Sequence, residues 1–202
     1  MNIKKILAGA GATALLLGNV AFPAFALTFN NGSFETGTAN GAYLTVPAGN
    51  TDITDWTVDS GSVDYIGTYW QSSNGVRNVD LNGNEQGSIS QVLTTVIGAT
   101  YNVTFDMSGN PDGGPTIKTV HVSATGGVET PYTFDTTGIT KEAMNWTQKA
   151  YQFVATSTST TLRFASQDAG AFGAAIDNIV IVEDLETVPT ATPTPTDEPT
   201  PT

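Results

Sequence analysis

The run Tyr101-Asn102-Val103-Thr104-Phe105-Asp106-Met107 alternates apolar and polar residues without a break. A period of two places one set on each face of a β-strand and cannot give an apolar helical stripe. The same alternation returns in Val120, Val122 and Ala124 against Thr119, His121 and Ser123, and in Leu162 and Phe164 against Thr161 and Arg163. Gly- and Asn-rich punctuation at 49–52, 82–84, 109–115, 126–127 and 170–173 separates these runs. About ten short strands at this spacing predict an all-β sandwich. Only residues 141–144 suggest a short helical turn. The run Ala175 to Val182 places Ile176, Val180 and Val182 on one face and Ile179 and Ile181 on the other, which predicts a strand that is buried or central. Asp177 interrupts that strand, so its carboxylate needs a partner.

The two ends differ from this middle. Residues 1–26 carry Lys4 and Lys5, an uncharged apolar stretch and the small-residue site Ala24-Phe25-Ala26, the pattern of a secretory signal. Three glycines and Pro23 dilute the stretch below what a membrane anchor needs. Residues 185–202 end in a proline-punctuated threonine run that favours an extended, solvated stalk, a route to surface anchoring. The globular domain is therefore expected over 27–184, exported and without a transmembrane segment. The chain has no cysteine, so no disulfide offsets chain entropy there. Its formal net charge is −12, with 19 acidic residues against 7 basic, two of which lie in the signal. Nucleic acid is excluded as a partner, because phosphate binding needs Lys and Arg to displace counterions.

Several motifs follow in fixed order: Asn31-Gly32-Ser33-Phe34-Glu35, Ile53-Thr54-Asp55-Trp56, Gly61-Ser62-Val63-Asp64-Tyr65-Ile66, Arg77-Asn78-Val79-Asp80-Leu81-Asn82-Gly83, Gly87-Ser88-Ile89-Ser90-Gln91, residues 108–115 (SGNPDGGP) and Asp177-Asn178-Ile179. In this order the chain resembles the choice-of-anchor C family of bacterial surface proteins, itself related to a plant cell-wall domain of unknown function, DUF642. The resemblance implies a galactose-binding-like jelly-roll β-sandwich, surface association and binding of cell-wall or other extracellular polysaccharide, with no established reaction. The pairing of Asn31–Glu35 with Asp177–Ile179 also resembles carbohydrate-binding jelly rolls with a structural calcium between the first and last strands. Carried over by position, Glu35 and Asp177 would be its side-chain ligands. Calcium takes hard oxygen donors, and an ion would account for a carboxylate inside an apolar strand. The alternative is that both carboxylates cap backbone amides.

Ligand contacts are expected from Tyr69 and Trp70, which lie in a polar segment without alternation, where an exposed ring would stack on a sugar. Arg77, Asp80, Asn82, Asn110 and Asp112 supply paired donors and acceptors for hydroxyls. Asn and Asp beside Gly are also turn formers, and Arg77 and Asp80 have the option of pairing with each other. Trp56 and Trp146 are assigned to packing. Residues 80–85 place oxygen side chains alternately, but Glu85 and Gln91 stand where an EF-hand needs Gly and Glu, so an Asn-Gly turn is expected instead.

Enzyme signatures are missing. There is no Gly-x-Ser-x-Gly elbow and no cysteine, and His121 is the only histidine. The expected function is non-catalytic carbohydrate binding; the alternative is a structural or adhesive protein whose partner is another protein.

Overall fold

A computed structural model describes residues 27–184. The expected signal at 1–26 and the threonine- and proline-rich stretch at 185–202 lie outside the described residues. Eleven strands form two antiparallel sheets: β1 (Tyr43–Pro47), β2 (Thr57–Ser60), β3 (Ser62–Ile66), β4 (Asn78–Asp80), β5 (Ser88–Thr94), β6 (Thr100–Gly109), β7 (Ile117–Ala124), β8 (Thr130–Asp135), β9 (Thr147–Val154), β10 (Ser159–Ser166) and β11 (Ala174–Asp184). One sheet has the order β1-β3-β4-β11-β6-β9 and the other β2-β5-β10-β7-β8. Among the described residues there is no helix. Residues 141–144 therefore form no helical turn; Thr140 and Ala143 bridge across a tight turn instead.

Alternation sets the core. Tyr101, Val103, Phe105 and Met107 of β6 are fully buried, as are Val120, Val122, Leu162 and Phe164 of the facing sheet. Trp56 fills the centre against Phe34 and Phe164, with ring centroids 5.3 and 6.2 Å away. Its indole nitrogen donates to the Asn31 carbonyl at 3.0 Å, which satisfies the polar atom that burial would otherwise strand. His121 sits on the polar face of β7 as expected, 2.7 Å from Glu129.

The last strand departs from the sequence reading. β11 is central between β4 and β6, as expected, and buried on both faces over 174–177; the departure lies in its later half. Its register on β6 shifts between Asp177 and Val180, with Asn178 at a φ of 50°. A bulge of this kind inserts a residue and resets the side-chain phase. Ile176, Ile179 and Ile181 thus all face the core, while Val180 and Val182 are exposed. The bulge also brings β11 against the opening segment. Ile179 N donates to Gly32 O at 2.9 Å, and a Cβ on Gly32 would lie 2.1 Å from the Ile179 carbonyl oxygen, so only glycine fits there.

A second, smaller cluster lies outside the six-stranded sheet. Trp70 packs there with Ile66, Met144 and Ala175, bordered by Tyr69, Ile139 and Trp146. The Trp70 indole nitrogen donates to Asn78 Oδ1 at 2.8 Å, and Trp146 donates to the Gln71 carbonyl at 2.9 Å. Trp70 is only 5% exposed, so the expectation of a free stacking ring is corrected: the polar segment around it hid a core residue. Trp70→Ala should lower unfolding stability by about 3–5 kcal/mol, read from urea midpoints, because it leaves a tryptophan-sized cavity. A variant as stable as the parent would place that ring outside the packed cluster.

Candidate functional site

The outer face of the six-stranded sheet carries a groove of about 160 Å³ beside the Trp70 cluster. Register explains its floor. Thr45 pairs with Asp64, and Tyr43 with Ile66, so all four side chains leave β1 and β3 on the same face. Three loops build the walls, contributing Tyr69, Asn110 and Asp112, and Ala171 and Phe172; Gly83 and Asn84 close one end. Two rings in this lining are open to solvent, Tyr43 at 48% and Phe172 at 37%. The Phe172 ring lies on Gly113, where a Cβ would come within 2.2 Å of it.

The walls are locked from below. Lys118 falls in the inward phase of β7 and is completely buried. Its ammonium donates to the carbonyls of Gly113 and Phe172, both at 2.7 Å, tying two loops together. Burial lowers its pKa, and the nearby Asp168 and Asp80 charges oppose that. Asp80, fully buried, accepts the Asn82 and Gly173 amides at 2.9 and 3.1 Å and the Asn110 side-chain amide at 2.8 Å. Desolvation nevertheless pushes its carboxyl up to about 8. Asn82 donates to the Asp168 and Gly170 carbonyls at 2.8 and 2.7 Å, and its own oxygen, unpartnered among the described residues, rests on Gly173. Asn110 Oδ1 in turn accepts the Asp112 amide at 2.9 Å.

At the rim, Asp112 Oδ2 accepts the Tyr69 hydroxyl at 2.6 Å and pairs with Lys141 at 2.9 Å. The Lys141 ammonium lies 3.8 Å from the Tyr69 ring centroid. Against the desolvation that works to raise it, these hydrogen bonds hold the Asp112 carboxyl below its usual value. Asp64 is shifted the opposite way: burial raises it, while the Thr45 hydroxyl at 2.6 Å partly restores the charged form.

Of the seven expected ligand residues, Tyr69, Trp70, Asn110 and Asp112 border this groove. Asp80 and Asn82 lie buried and serve as its framework, with no exposed atoms for a sugar. Arg77 lies apart and does not pair with Asp80. It donates to the Tyr65 hydroxyl at 2.6 Å, with its guanidinium 5.1 Å from that ring centroid. Tyr43, Asp64, Asn84, Phe172, Lys118 and Lys141 were not singled out in the sequence. For Lys118 a signal existed, a lysine in the apolar phase of an alternating strand. For Phe172 there was none, because a single aromatic in a glycine-rich loop has no periodicity.

Glu35 and Asp177 both hold backbone amides. Glu35 Oε1 accepts the Val76 and Arg77 amides at 2.8 and 2.9 Å. Asp177 Oδ2 accepts those of Ser73 and Asn74, both at 2.8 Å, and Oδ1 that of Asn178 at 2.7 Å. As arranged, these carboxylates cap the amides of the loop that carries Tyr69. Desolvation pushes the Asp177 carboxyl up to about 7, with the Glu35 charge adding to it and the amide donors opposing.

Residues 27–182 match the family described as a protein of unknown function, DUF642. The chain belongs to the DUF642 family. This DUF642 domain is 36% identical over 174 residues to Halomucin of Haloquadratum walsbyi, a stretch covering 81% of this chain and 2% of that protein. The chain therefore spans a small fraction of the curated relative it matches. Among solved structures, TmCBM61 in complex with β-1,4-galactotriose is similar at a TM-score of 0.47 and 19% identity, covering 77% of this chain and 97% of that one. CBM35 from Paenibacillus barcinonensis gives 0.44 and 20%, covering 69% and 98%. Likenesses at these scores carry no ligand or binding mode across to the DUF642 domain.

Two outcomes follow. A group whose native pKa exceeds its unfolded value of about 3.9 binds its proton more tightly when folded. Asp80 therefore contributes stability below about pH 4 that is lost as pH rises toward its folded pKa of about 8. The wild-type melting temperature should lose more than that of Asp80→Asn between pH 5 and 8; equal slopes would mean Asp80 is ionised throughout. Excess chelator should leave the melting curve unchanged, and a fall reversed by added calcium would show Glu35 and Asp177 turned toward an ion.

Proposed function

We propose that this domain is a non-catalytic carbohydrate-binding module of an exported, surface-associated protein, and that the groove on its six-stranded sheet is the binding site. One observation carries the reading: two solvent-open rings, Tyr43 and Phe172, stand in the same depression as the side chains of Asp64, Asn84 and Asp112. A sugar presents an apolar C–H face and a ring of hydroxyls. Aromatic faces meet the first, while carboxylate and amide groups take the second. The rings and acids hang on a framework whose polar atoms, Asn82 Oδ1 apart, are already bonded, so little ordering cost falls on binding.

Export is supported by the leader-like residues 1–26, and surface association by the stalk-like residues 185–202. The resemblance to choice-of-anchor C proteins agrees with both. The similarity to a small stretch of Halomucin supports a module that is also used within much larger chains.

The test is saccharide retention in affinity gels or on a glycan array. Tyr43→Ala and Phe172→Ala should each weaken retention at least about tenfold, or about 1.4 kcal/mol, while leaving the melting temperature nearly unchanged. Retention unaffected by both variants would move the site elsewhere. A wild-type domain that retains no saccharide, yet captures a protein from the same surface, would favour the adhesive reading.

A further inference from the structure

The groove's chemistry is one-sided in charge. Its lining holds two carboxylates, Asp64 and Asp112, and no basic side chain. Lys141 at the rim is committed to Asp112 and the Tyr69 ring. Arg77 is engaged with Tyr65, Lys118 is buried, and Arg163 lies on the opposite sheet, 3.4 Å from Asp59. A uronic acid entering here would meet like charge and no compensating cation, in a chain whose formal net charge is −12.

The two carboxylates differ in what they already hold. Asp112 has its hydroxyl and ammonium donors in place. Asp64 takes a single hydrogen bond, from Thr45 to Oδ1, and its Oδ2 has no hydrogen-bond partner among the described residues. Cross-strand register places Tyr43 diagonal to Asp64 on the same face, within reach of one small cationic group. Tyr43 and Tyr69 meet edge to face, 5.2 Å between centroids. The Tyr69 half of this pair shows what such a corner holds: an ammonium over the ring and against a carboxylate. The Tyr43–Asp64 half has the same two elements and no resident cation.

We propose that the groove selects cationic amino sugars, with the ammonium of a free-amine hexosamine between the Tyr43 ring and Asp64 Oδ2. The inference rests on the carbohydrate reading above and narrows it to one class of polysaccharide, partly or fully de-N-acetylated. N-acetylation removes the charge and adds bulk where the ammonium would sit, and a carboxylated sugar reverses the sign.

Calorimetry at about pH 6 with four short oligomers tests this: the β-1,4-linked trimers of glucosamine, N-acetylglucosamine and glucose, and a galacturonic acid trimer. The glucosamine trimer should bind at least about tenfold more tightly than the glucose trimer, as a charge-assisted contact replaces a neutral one, and the galacturonate trimer should bind weakest. Asp64→Asn should bring the glucosamine-to-glucose ratio near one. Glu129→Gln removes the same unit of charge beside His121 on the other sheet and should leave the ratio as in the wild type. A ratio near one in the wild type overturns the inference while the carbohydrate reading stands. An equal effect of both substitutions also overturns it, since bulk charge would then explain the preference. Failure of all four trimers and of every glycan in the array would instead remove the carbohydrate reading itself.

Discussion

The groove exists because a lysine is buried. Lys118 points into the sandwich from β7, and its ammonium joins the Gly113 and Phe172 carbonyls, which belong to loops more than fifty residues apart in sequence. An ammonium in that position costs several kcal/mol of desolvation unless its protons are placed. Two carbonyls take its protons, and Asp168 supplies opposing charge nearby. Around it, Asp80, Asn82 and Asn110 bind one another and the backbone of the same loops. Such a network is stable only when nearly every member is satisfied, so it fixes the loops in one arrangement. Phe172 and Asp112 inherit their positions from it.

On the far side of the groove, the loop bearing Tyr69 is held by carboxylates instead. Glu35 and Asp177 gather the amides of Ser73, Asn74, Val76 and Arg77, and Trp70 anchors the loop in its own apolar cluster. Polar and apolar devices thus act at opposite walls, with the β1–β3 register as floor. No helix is needed to shape the site, because the sheet face is flat and the loops rise around it.

Much of this was legible in the sequence. Strict alternation in β6, β7 and β10 gave the sheets and their inner faces, and glycine-rich punctuation gave the turns. β11 misled, because a bulge at Asn178 breaks the count of two and no composition marks it. The motif residues were located but differently cast. Asp80 and Asn82 read as hydroxyl ligands, since a buried acid and an exposed one look alike without their surroundings. Trp70 read as exposed because its partners, Met144 and Ala175, come from distant segments. Tyr43 and Asp64 escaped notice individually, yet their relation follows from antiparallel register once β1 and β3 are paired. Asp64 stood in a motif; what the sequence lacked was Tyr43 beside it.

The central claim is that recognition occurs on the outer face of the six-stranded sheet, and amide chemical-shift mapping during titration with a bound oligosaccharide tests it most directly. The account predicts that Tyr43, Thr45, Asp64, Asn84, Asp112 and Phe172 shift in a saturable, concerted way, while His121 and Arg163 on the opposite sheet stay still. Shifts confined to the opposite sheet, or to the segment around Thr28 and Asn30, would contradict it.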